Sequence, residues 1–516
     1  FRSGHEGLKQ SLRKIKDLLD HSIEVKGQKR LTSVNAYDIV MHMADAVLSG
    51  GVRRSATIAL FGPDDDLMIN AKTNFKVTKS FMFEKSTNKK GETIWEGRVI
   101  VSPEYGGKVG HKYDVVLTDY EYTEMLHKDG VINWRHIEPQ RARSNNSVML
   151  MRNKVTPEFF DEIVHKIQQY GEPGFVFTDH EDFLVNPCAE VGFIPVTRDG
   201  VCGVQFCNLV SMNGKHIDSR EKFMEYAKAA TIIGTLQAGY TDFKYLGKAS
   251  KHLTDEEALL GVSITGFMDN PNTLLDPKNQ ADVAQYTKKI NKDWAQKIGV
   301  NQAARITLVK PEGTTSLMLG TASGIHPHHS RRYFRRIQCN RTDNVYKHFK
   351  SYNEHATEES IWSATMSDDI AIFPLTVSEK AMIKTDLSAI EHLNYILSTQ
   401  KNWVLNGETE SNIKGIHHNV SCTVIVDDTE WKDVVSFIYE NREFFTAVSF
   451  LPKMGDKIYK QAPNEAISTP EDEVEFNRLI NNWKRVEYTK MSEEEDATEL
   501  QKEVACAGGA CELTHI

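Results

Sequence analysis

The stretch VNAYDIVMHMADAVLSGGVRRSATIALF (residues 34–61) decides the fold class of this chain. Its first part carries apolar residues at helical spacing behind Asn35, a residue type that often caps a helix, and it stops at Gly50-Gly51. The apolar run 56–61 follows at once, as expected for a short buried strand. A helix, a glycine-rich loop and a strand in succession are typical of an α/β protein.

The rest of the chain repeats this alternation, with one interruption. Apolar spacing predicts helices at 8–23, 157–170, 220–240, 278–298 and 377–399, and strands near 147–151, 304–309 and 420–426. From about 70 to 138, apolar and polar residues alternate around a turn at 88–91, which predicts a β-rich insertion. After Trp483 the chain is charged and poor in bulky apolar residues, so we expect a mobile arm. We therefore divide the chain into an α/β core (1–485) and a flexible tail (486–516).

The composition excludes several classes of protein. Hydrophobic residues make up 40% of the 516 residues, enough for a large core. The 62 Lys and Arg residues against 71 Asp and Glu residues give a net charge of −9, which argues against a protein that coats nucleic acid. No apolar run approaches the roughly 18 residues that cross a bilayer, and the start FRSGHEGLKQ lacks the apolar centre of a signal peptide. We expect a cytoplasmic protein with no membrane or nucleic-acid partner.

The segment NPCAE (186–190) groups three side chains that suit hydrogen exchange with a substrate. Asn186, Cys188 and Glu190 are two residues apart, so they project to one side of an extended backbone. An amide can orient a hydroxyl group, and a carboxyl group can act as general base or acid beside the thiol. The alternative is a buried structural cysteine next to a turn begun by Asn-Pro, because free cysteine is commonly buried.

Two further groups of cysteines indicate redox chemistry. Cys202 and Cys207 follow Cys188 closely, but their spacing lacks the tight CxxC of a structural zinc site, so we expect no metal ion there. Near the end, CAGGAC places Cys506 and Cys511 on either side of a Gly-Gly hinge that lets the two thiols meet as a disulfide. A mobile dithiol suits thiol–disulfide exchange with a distant site, and chance cysteines in a frayed end are the alternative.

The segment ARITLVKPEGTTSLM (304–318) reads as a strand, a turn and the start of a helix. The backbone N–H groups at such a start, with the hydroxyl groups of Thr314, Thr315 and Ser316, favour a phosphate group. An ordinary helix cap rich in Ser and Thr explains the same pattern equally well.

The loop LSGGVRRSA (48–56) offers arginine side chains between a helix and a strand. The planar guanidinium of Arg53 or Arg54 can reach a base or a phosphate group. The alternative is a solvated helix end in which basic residues are favoured by the helix dipole.

Taken together, these segments resemble the catalytic subunit of ribonucleotide reductase, and specifically the adenosylcobalamin-dependent (class II) ribonucleoside-triphosphate reductases. The resemblance runs from about residue 25 to the end and is carried by nine segments in the family's order: KRLTSVNAYDIVMHMADAVLSGGVRRSATIAL, SNNSVML, GEPGFV, NPCAE, FCNLV, LVKPEGTTS with SGIHPHH, NVSCTV, FLPKMGDKIYKQAP and CAGGAC. The segment 70–138 has no counterpart. The implied fold is a ten-stranded α/β barrel made of two five-stranded halves, with the radical cysteine on a finger loop inside.

The resemblance implies a role for each matching residue of the finger loop. Cys188 would carry the thiyl radical that abstracts the 3′-hydrogen of the ribose. Glu190 would take the proton of the 3′-hydroxyl group, and Asn186 would hold the ribose hydroxyl groups. Cys207 would be one of two thiols that reduce the radical intermediate and end as a disulfide. The family usually has glycine where this chain has Ala189.

The remaining motifs imply the partners of the reaction. Cys506 and Cys511 would reduce the active-site disulfide again and pass the oxidation to a thioredoxin-like reductant. The phosphate groups of the ribonucleotide substrate would lie on the loop of Pro311, Glu312, Gly313, Thr314, Thr315 and Ser316. A specificity loop would relay which dNTP or ATP effector is bound; it comprises Ser49, Gly50, Gly51, Arg53 and Arg54.

The implied radical source is adenosylcobalamin. Iron-dependent reductases relay the radical through adjacent tyrosines, and the corresponding stretch FFTAVSFLP (444–452) has none. Glycyl-radical reductases carry a radical glycine near the end, where this chain has the dithiol. Two alternatives stay open: a reductase of the same fold fed by a separate metal-radical subunit, and a nucleotide-binding fragment that regulates a reductase complex.

The resemblance also implies a part that this chain lacks. In the family, a first redox cysteine on the opening barrel strand pairs with the cysteine of FCNLV. This chain begins close to the effector loop with Phe1, and no cysteine precedes Cys188. We therefore expect a separate N-terminal reductase polypeptide that supplies the opening strand and the partner thiol of Cys207, with Cys202 as the alternative partner. A homo-oligomer is a further expectation.

Overall fold

The computed structural model describes residues 6–22, 30–46, 56–88, 92–103, 108, 110–127, 130–361, 368–453 and 461–491. The helices within these residues are α1 (Glu6–Asp20), α2 (Ser33–Ala46), α3 (Asp66–Ile69), α4 (Asp119–His127), α5 (Trp134–Ile137), α6 (Pro157–Tyr170), α7 (Arg220–Gln237), α8 (Lys248–Glu257), α9 (Pro271–Leu274), α10 (Pro277–Ile298), α11 (Gly313–Leu319), α12 (Asn344–Asn353), α13 (Ala389–Thr399), α14 (Trp431–Glu440) and α15 (Pro470–Asn482).

The strands alternate with these helices along most of the chain. They are β1 (Thr57–Phe61), β2 (Phe75–Ser80), β3 (Glu84–Thr87), β4 (Thr93–Val101), β5 (Tyr113–Thr118), β6 (Val131–Ile132), β7 (Ser144–Met151), β8 (Gly174–Thr178), β9 (Leu184–Val185), β10 (Gly192–Phe193), β11 (Asn208–Asn213), β12 (Leu260–Thr265), β13 (Arg332–Asn340), β14 (Thr357–Glu359), β15 (Asp368–Thr376), β16 (Thr423–Val426), β17 (Ser449–Pro452) and β18 (Asn464–Ala466). The predicted α/β class is confirmed.

Two groups of predicted residues lie outside the described part of the chain. They are the specificity-loop residues Ser49, Gly50, Gly51, Arg53 and Arg54, and the tail cysteines Cys506 and Cys511. Among the helices that the structure describes, none combines the length and the apolar character that crossing a membrane requires.

Helix α6 shows why local sequence signals succeed. The hydroxyl group of Thr156 accepts a hydrogen bond from the N–H of Phe159, and Pro157 occupies the first turn, where its missing N–H costs nothing. Gly171 ends the helix with φ of +75°, a left-handed conformation that glycine adopts without strain. The predicted start and end of this helix are both confirmed.

Helix α2 begins earlier than predicted. It starts at Ser33, so Asn35 lies inside the helix and its side chain donates a hydrogen bond to Ser22 Oγ (2.9 Å) rather than capping the helix.

Helix α13 is shorter than the predicted helix 377–399. It begins only at Ala389, because the side chains of Ser388 and Glu391 form a reciprocal capping box there.

The segment 304–309 forms isolated bridges rather than a continuous strand. Thr307 bridges Val262 of β12 and Val309 bridges Val420, both in parallel. This segment therefore joins the parallel pair β11-β12 to the parallel pair β16-β17. On the far side, the N–H of Phe177 in β8 donates to the carbonyl oxygen of Thr446 (2.8 Å).

A third parallel group has the strand order β1-β7-β8. The strands of the described residues thus form several sheets linked by single bridges, and the structure shows no closed barrel among them. At the two ends of this series lie β1 and β11, each with one neighbouring strand in the described part of the chain. Both end strands are mostly half-exposed, whereas all six residues of β12 are buried.

The main core lies between these strands and the helices that cover them. Trp403 is fully buried at its centre, and its indole N–H donates to the carbonyl oxygen of Leu308 (3.1 Å). This bond satisfies the only polar atom of a large apolar side chain, as burial of tryptophan requires. The core thereby fixes the segment that leads into the loop at 310–316.

A four-stranded antiparallel sheet of order β14-β15-β13-β18 forms a separate layer with α12 and α15. This sheet is not predicted from the sequence, because the three arginines of β13 interrupt its apolar pattern and find their partners only in the fold. Arg336, for example, binds Glu465 of the neighbouring strand β18 (2.6 Å).

The residues from Phe75 to Ile132 form a five-stranded antiparallel sheet of their own, with order β3-β4-β2-β6 and β5 alongside β4. The predicted β-hairpin is confirmed, since Thr87 of β3 pairs with Thr93 of β4. The sheet has its own apolar core: Phe75, Val99, Val101, Tyr113, Val115, Leu117, Met125, Ile132, Trp134 and Ile137. Strand β5 alternates buried and exposed residues without a break, as a sheet with one covered face requires.

We predict that Leu117→Ala destabilises this sheet, because Leu117 is 1% exposed and its loss leaves a cavity in the insertion core. The expected loss in the free energy of unfolding is about 2–5 kcal/mol. Val116→Ala is the matched control, since the neighbouring Val116 is 52% exposed on the opposite face of β5. Its effect should stay within about 0.5 kcal/mol. Chemical denaturation with hydrogen exchange of β2 to β6 measures both, and equal effects of the two variants would contradict the described packing.

Candidate active site

The finger loop NPCAE (186–190) is held at its base by two short strands. Strands β9 and β10 pair in antiparallel fashion, with Val185 opposite Gly192. Within the loop, the carbonyl oxygen of Asn186 accepts a hydrogen bond from the N–H of Ala189 (2.7 Å), and Asn186 Oδ1 accepts one from the N–H of Val191 (3.0 Å). The side chain of Asn186 thus also shapes the loop.

Ala189, directly after Cys188, adopts a left-handed backbone conformation with φ of +59°. Glycine takes this conformation without strain, whereas a residue with a Cβ atom pays a steric cost. This geometry explains why the resembling proteins usually carry glycine here. Alanine has the smallest side chain that brings a Cβ atom, so the steric cost at this position is small enough for the loop to keep its conformation.

The segment 418–421 fastens the finger loop from outside. Ser421 Oγ donates to the carbonyl oxygen of Cys188 (2.5 Å), and Asn419 Nδ2 donates to that of Ala189 (3.1 Å). The backbone N–H of Asn419 donates to the carbonyl oxygen of Glu190 (2.9 Å). Three successive carbonyl groups of the loop are therefore bound by one neighbouring segment, which fixes the direction of the Cys188 thiol.

His418 completes this attachment. Its Nδ1 accepts a hydrogen bond from the N–H of Gly192 (3.2 Å), and its Nε2 pairs with the carbonyl oxygen of Leu260 (3.0 Å). Burial lowers the pKa of His418 well below its ordinary value, so the neutral ring suits this pair of bonds. A Cβ atom at Gly192 would lie 2.1 Å from the carbonyl oxygen of His417, so only glycine fits this close approach.

Glu190 lies 3% exposed inside the site. Burial raises the pKa of its carboxyl group, and the negative charge of Glu312 adds to this effect, while a hydrogen bond from Asn186 and the charge of Lys310 act against it. Its Oε2 atom has no hydrogen-bond partner among the described residues. A buried carboxyl oxygen without a partner marks a place where a polar ligand group binds.

Cys207 lies just before β11 and beside Glu190. Burial raises the pKa of its thiol, and the charge of Glu190 raises it further. A Cβ atom at Gly261 of β12 would lie 3.3 Å from Cys207 Sγ, so a glycine makes room for the sulfur. The structure thus brings Cys207 to the same side of the finger loop as Glu190. Cys202 is exposed, and no disulfide joins the five cysteines of the described residues.

The loop 310–316 carries an ion pair that the sequence analysis missed. Lys310 Nζ lies 3.3 Å from Glu312 Oε1 and 3.1 Å from Ser211 Oγ, and Ser211 Oγ also donates to Glu312. Glu312 is buried and has a left-handed φ of +55°. Its carboxylate therefore points to Ser211 of β11.

The residues that follow Glu312 open helix α11. Gly313 and Thr314 are exposed and Thr315 is half-exposed, so their backbone N–H groups and hydroxyl groups lie at the surface of the site. Ser316 is buried, and its hydroxyl group donates to the carbonyl oxygen of Gly313 (3.2 Å).

A cavity of about 350 Å³ adjoins the finger loop, and we call it the cavity behind Cys188. Cys188 and Ala189 line it, with Ser421 and Cys422 from the segment before β16 and Ser449 from β17. Glu190 and Cys207 are not among its lining residues.

The sequence analysis gave no role to His418, Asn419 and Ser421. They belong to the segment NVSCTV and its flank, which the resemblance contains without a function. One signal in the sequence could have found them: they are polar residues directly before an apolar strand. Polar side chains at such a place need hydrogen-bond partners from elsewhere in the fold. In the described residues, no group of three or more His, Cys, Asp or Glu side chains is arranged to hold a metal ion.

The comparisons with known proteins find one class of protein. No protein-family model matches the chain. Its fold is similar to the crystal structure of a B-12 dependent (class II) ribonucleotide reductase, with a TM-score of 0.61, 19% sequence identity, and coverage of 94% of this chain and 63% of that chain.

The same class is found among curated relatives. The adenosylcobalamin-dependent ribonucleoside-triphosphate reductase of Lactobacillus acidophilus is 25% identical over 96% of this chain and 61% of its own length. The enzyme of the same name from Lactobacillus leichmannii is 24% identical over 95% of this chain and 61% of its own length. The resemblance to this family is confirmed, and the chain spans about three-fifths of the length of the relatives it matches.

We predict that Glu190→Gln stabilises the fold at neutral pH. Because the pKa of Glu190 is raised in the folded state, that state binds the proton more tightly than the unfolded chain, and stability falls as pH rises from about 4.5 through the raised pKa. Glutamine mimics the protonated group and avoids this loss, which is about 1.4 kcal/mol for each pH unit of the raised pKa.

Urea unfolding of both proteins between pH 4 and 8 measures the effect. The stability advantage of Glu190→Gln should grow with pH and vanish below about pH 4.5. The same change at Glu181, whose side chain is 82% exposed, is the control and should produce no such trend. A variant that is less stable than the parent at every pH would refute the assigned burial of the charge.

Proposed function

We propose that this chain forms the catalytic part of an adenosylcobalamin-dependent ribonucleotide reductase, which reduces ribonucleotides, as triphosphates, to 2′-deoxyribonucleotides. The observation that carries the proposal is that Cys188, which lines the cavity, shares its loop with the buried carboxyl group of Glu190, whose charge acts on the thiol of Cys207. A thiol at a cavity can receive a radical from a bound cofactor, and a carboxyl group and a second thiol close to it can act on a substrate.

The chemistry divides among the residues of the site. The sulfur radical of Cys188 takes the 3′-hydrogen atom of the ribose, and Glu190 Oε2 receives the proton of the 3′-hydroxyl group. Asn186, which hydrogen-bonds Glu190, holds the ribose hydroxyl groups. The 2′-hydroxyl group leaves as water, and Cys188 returns its hydrogen atom to the 3′-carbon.

Two electrons and two protons balance this reduction. Cys207 and a second thiol provide them, and the two sulfur atoms end as a disulfide. The raised pKa of Cys207 keeps its thiol protonated at neutral pH, so the hydrogen that the step consumes is present. We propose that Cys506 and Cys511 then reduce this disulfide and are themselves reduced by a thioredoxin-like protein.

The cavity behind Cys188 fits part of the implied cofactor. Its volume of about 350 Å³ lies at the lower end of the range for small-molecule sites, about 300–1,000 Å³. It holds a nucleoside, whereas the much larger corrin ring must lie outside it. Phe175, Trp134 and Phe450 offer flat apolar walls. When bound, adenosylcobalamin supplies the radical; the protein orients Cys188 through Ser421 and Asn419.

The remaining ligands follow from the two loops. We propose that the substrate phosphate groups bind at the loop 311–316 through the exposed start of α11, and that the loop 49–54 relays the identity of a dNTP or ATP effector. Because Glu312 is paired with Lys310, the carboxylate does not repel the phosphate groups strongly.

A partner polypeptide completes the site in this proposal. The strands β1 and β11 each have one neighbour in the described residues and are half-exposed, so each offers an edge to a further strand. Two added strands would extend the series toward the ten-stranded barrel. We propose that they, and the second thiol for Cys207, come from an N-terminal reductase polypeptide. The exposed position of Cys202 argues against it as that thiol.

A separate metal-radical subunit is the second candidate for the radical source. The segment 444–452 has no tyrosine pair, and the cavity beside Cys188 suits a small molecule rather than a relay through the protein. A purely regulatory fragment has no use for a half-buried pair of thiols, Cys188 and Cys207, beside the buried Glu190, so we favour the enzyme.

We predict that Cys188→Ser abolishes the reaction and leaves the fold intact, because an oxygen atom cannot replace sulfur as the radical carrier. The chain is mixed anaerobically with adenosylcobalamin, a nucleoside triphosphate, a dithiol and its N-terminal partner. Deoxynucleotide formation, cob(II)alamin absorbance and the paramagnetic resonance signal should all fall below detection. Cys339→Ser, on the distant strand β13, should behave as the parent. Deoxynucleotide production by Cys188→Ser would overturn the assignment.

We expect Cys506→Ser or Cys511→Ser to block repeated turnover with thioredoxin while activity with a small dithiol stays near that of the parent. A small reductant reaches the buried pair directly, whereas thioredoxin is too large and needs the mobile dithiol. Rates with the two reductants give the result. Equal loss with both reductants would show that the tail has a different function.

A further inference from the structure

Asn146 of β7 has a buried donor that nothing in the described structure uses. The residue is 2% exposed and lines the cavity behind Cys188. Its Oδ1 accepts a hydrogen bond from Ser144 Oγ (2.9 Å), whereas its Nδ2 has no partner among the described residues. An unpaired buried donor costs about 1–3 kcal/mol, so a ligand acceptor at this point recovers a substantial free energy.

The orientation of this amide is fixed by its neighbours. The Tyr37 hydroxyl group lies 2.7 Å from Ser144 Oγ and 3.2 Å from the carbonyl oxygen of Arg141. With the tyrosine proton on that carbonyl, Ser144 is free to donate to Asn146 Oδ1. The backbone N–H of Asn146 is bound as well, to the carboxylate of Glu172. Asn146 Nδ2 is thus the one polar atom of this side chain left for a ligand.

The walls of the cavity define the chemistry of that ligand. Aromatic and aliphatic side chains contribute flat apolar surface: Ile58, Trp134, Ile167, Phe175 and Phe450. Three charged residues line the same cavity: Lys72 and Glu172 form an ion pair of 2.6 Å, and the guanidinium of Arg135 lies 5.3 Å from the centre of the Trp134 ring. The apolar walls favour a planar ring, and the unpaired donor of Asn146 favours a ring that carries a hydrogen-bond acceptor.

We propose that Asn146 Nδ2 donates a hydrogen bond to a ring nitrogen of a purine base held in this cavity, which makes Asn146 the residue that reads the adenine of the adenosyl group. This inference rests on the proposed function for the identity of the ligand. A ring nitrogen matches the site because it is an acceptor only, whereas a ribose hydroxyl group brings a donor that also needs a partner.

The test uses binding rather than turnover, with 5′-deoxyadenosine as the probe. Its affinity for the full chain is measured by titration calorimetry beside that of its 1-deaza, 3-deaza and 7-deaza analogues, each of which replaces one ring nitrogen by CH. One analogue should bind the parent chain about 5- to 100-fold more weakly than 5′-deoxyadenosine does. Asn146→Leu has no donor at this position, so it should bind the same analogue and 5′-deoxyadenosine equally within about twofold.

Matched variants and controls separate this pattern from general damage. Asn146→Asp keeps an oxygen atom that can accept the hydrogen bond from Ser144 Oγ but has no amide donor. It should therefore show the same loss of discrimination between the analogues. Asn353→Leu changes an equally buried asparagine whose amide donates to Lys484 far from the cavity, so it should keep the full pattern. Far-ultraviolet circular dichroism confirms that each variant is folded.

Three outcomes overturn the inference: no binding of 5′-deoxyadenosine by the parent chain, equal binding of all three analogues, or discrimination that survives in Asn146→Leu. Failure of the proposed function is a different result, since it appears as absent deoxynucleotide formation in the Cys188 experiment. If the chain discriminates the analogues through Asn146 and yet forms no deoxynucleotide, the inference about Asn146 stands and the proposed function is refuted.

Discussion

The arrangement of the whole site depends on the hydrogen bonds between the finger loop and the segment 418–421. A five-residue loop has little apolar surface to hold it, and Ala189 adds a strained left-handed conformation. Three consecutive carbonyl groups of the loop are nevertheless bound by Ser421 and Asn419. These bonds are made away from solvent, where each is worth more and where the loss of one partner costs most. The direction of the Cys188 thiol is therefore set by another part of the chain.

This attachment also determines the electrostatics of the site. Because the loop is held against the fold, Glu190 is buried beside Cys207. Burial raises the pKa of both groups, and the charge of Glu190 raises the pKa of the Cys207 thiol further. Lys310 and Glu312 lie close enough to act on Glu190 with opposite signs. The result is a site in which the carboxyl group of Glu190 and the thiol of Cys207 both hold a proton to a higher pH than they do in water.

Local signals in the sequence predicted those parts of the fold that are determined locally. Helix α6 has its cap, its proline and its closing glycine within one stretch, and its bounds are as predicted. The segment 304–309 failed as a strand, because its pairing with β12 and with Val420 consists of isolated bridges set by distant residues. The sheet around β13 was missed, since β13 carries arginines such as Arg336, whose partner Glu465 lies on the neighbouring strand β18 and far away in the sequence.

The site shows the same division. The pattern of Asn186, Cys188 and Glu190 could be read from the sequence, because these residues lie within five positions of one another. The burial that raises the pKa of Glu190 could not be predicted in this way. Asn419 and Ser421 act on the loop from some 230 residues away, a relation that only the fold reveals. The motif SNNSV was recognised as part of the resemblance, but its function depends on which of its amide atoms is left unpaired.

The β-rich insertion is joined to this site by packing. Trp134 belongs to the apolar core of the insertion and also lines the cavity behind Cys188. Lys72, just before β2, lies 5.5 Å from the centre of the Trp134 ring and pairs with Glu172 at the same cavity. Protein interiors are packed closely enough that a shift of such a side chain is passed to its neighbours. The insertion therefore helps to shape one wall of the cavity.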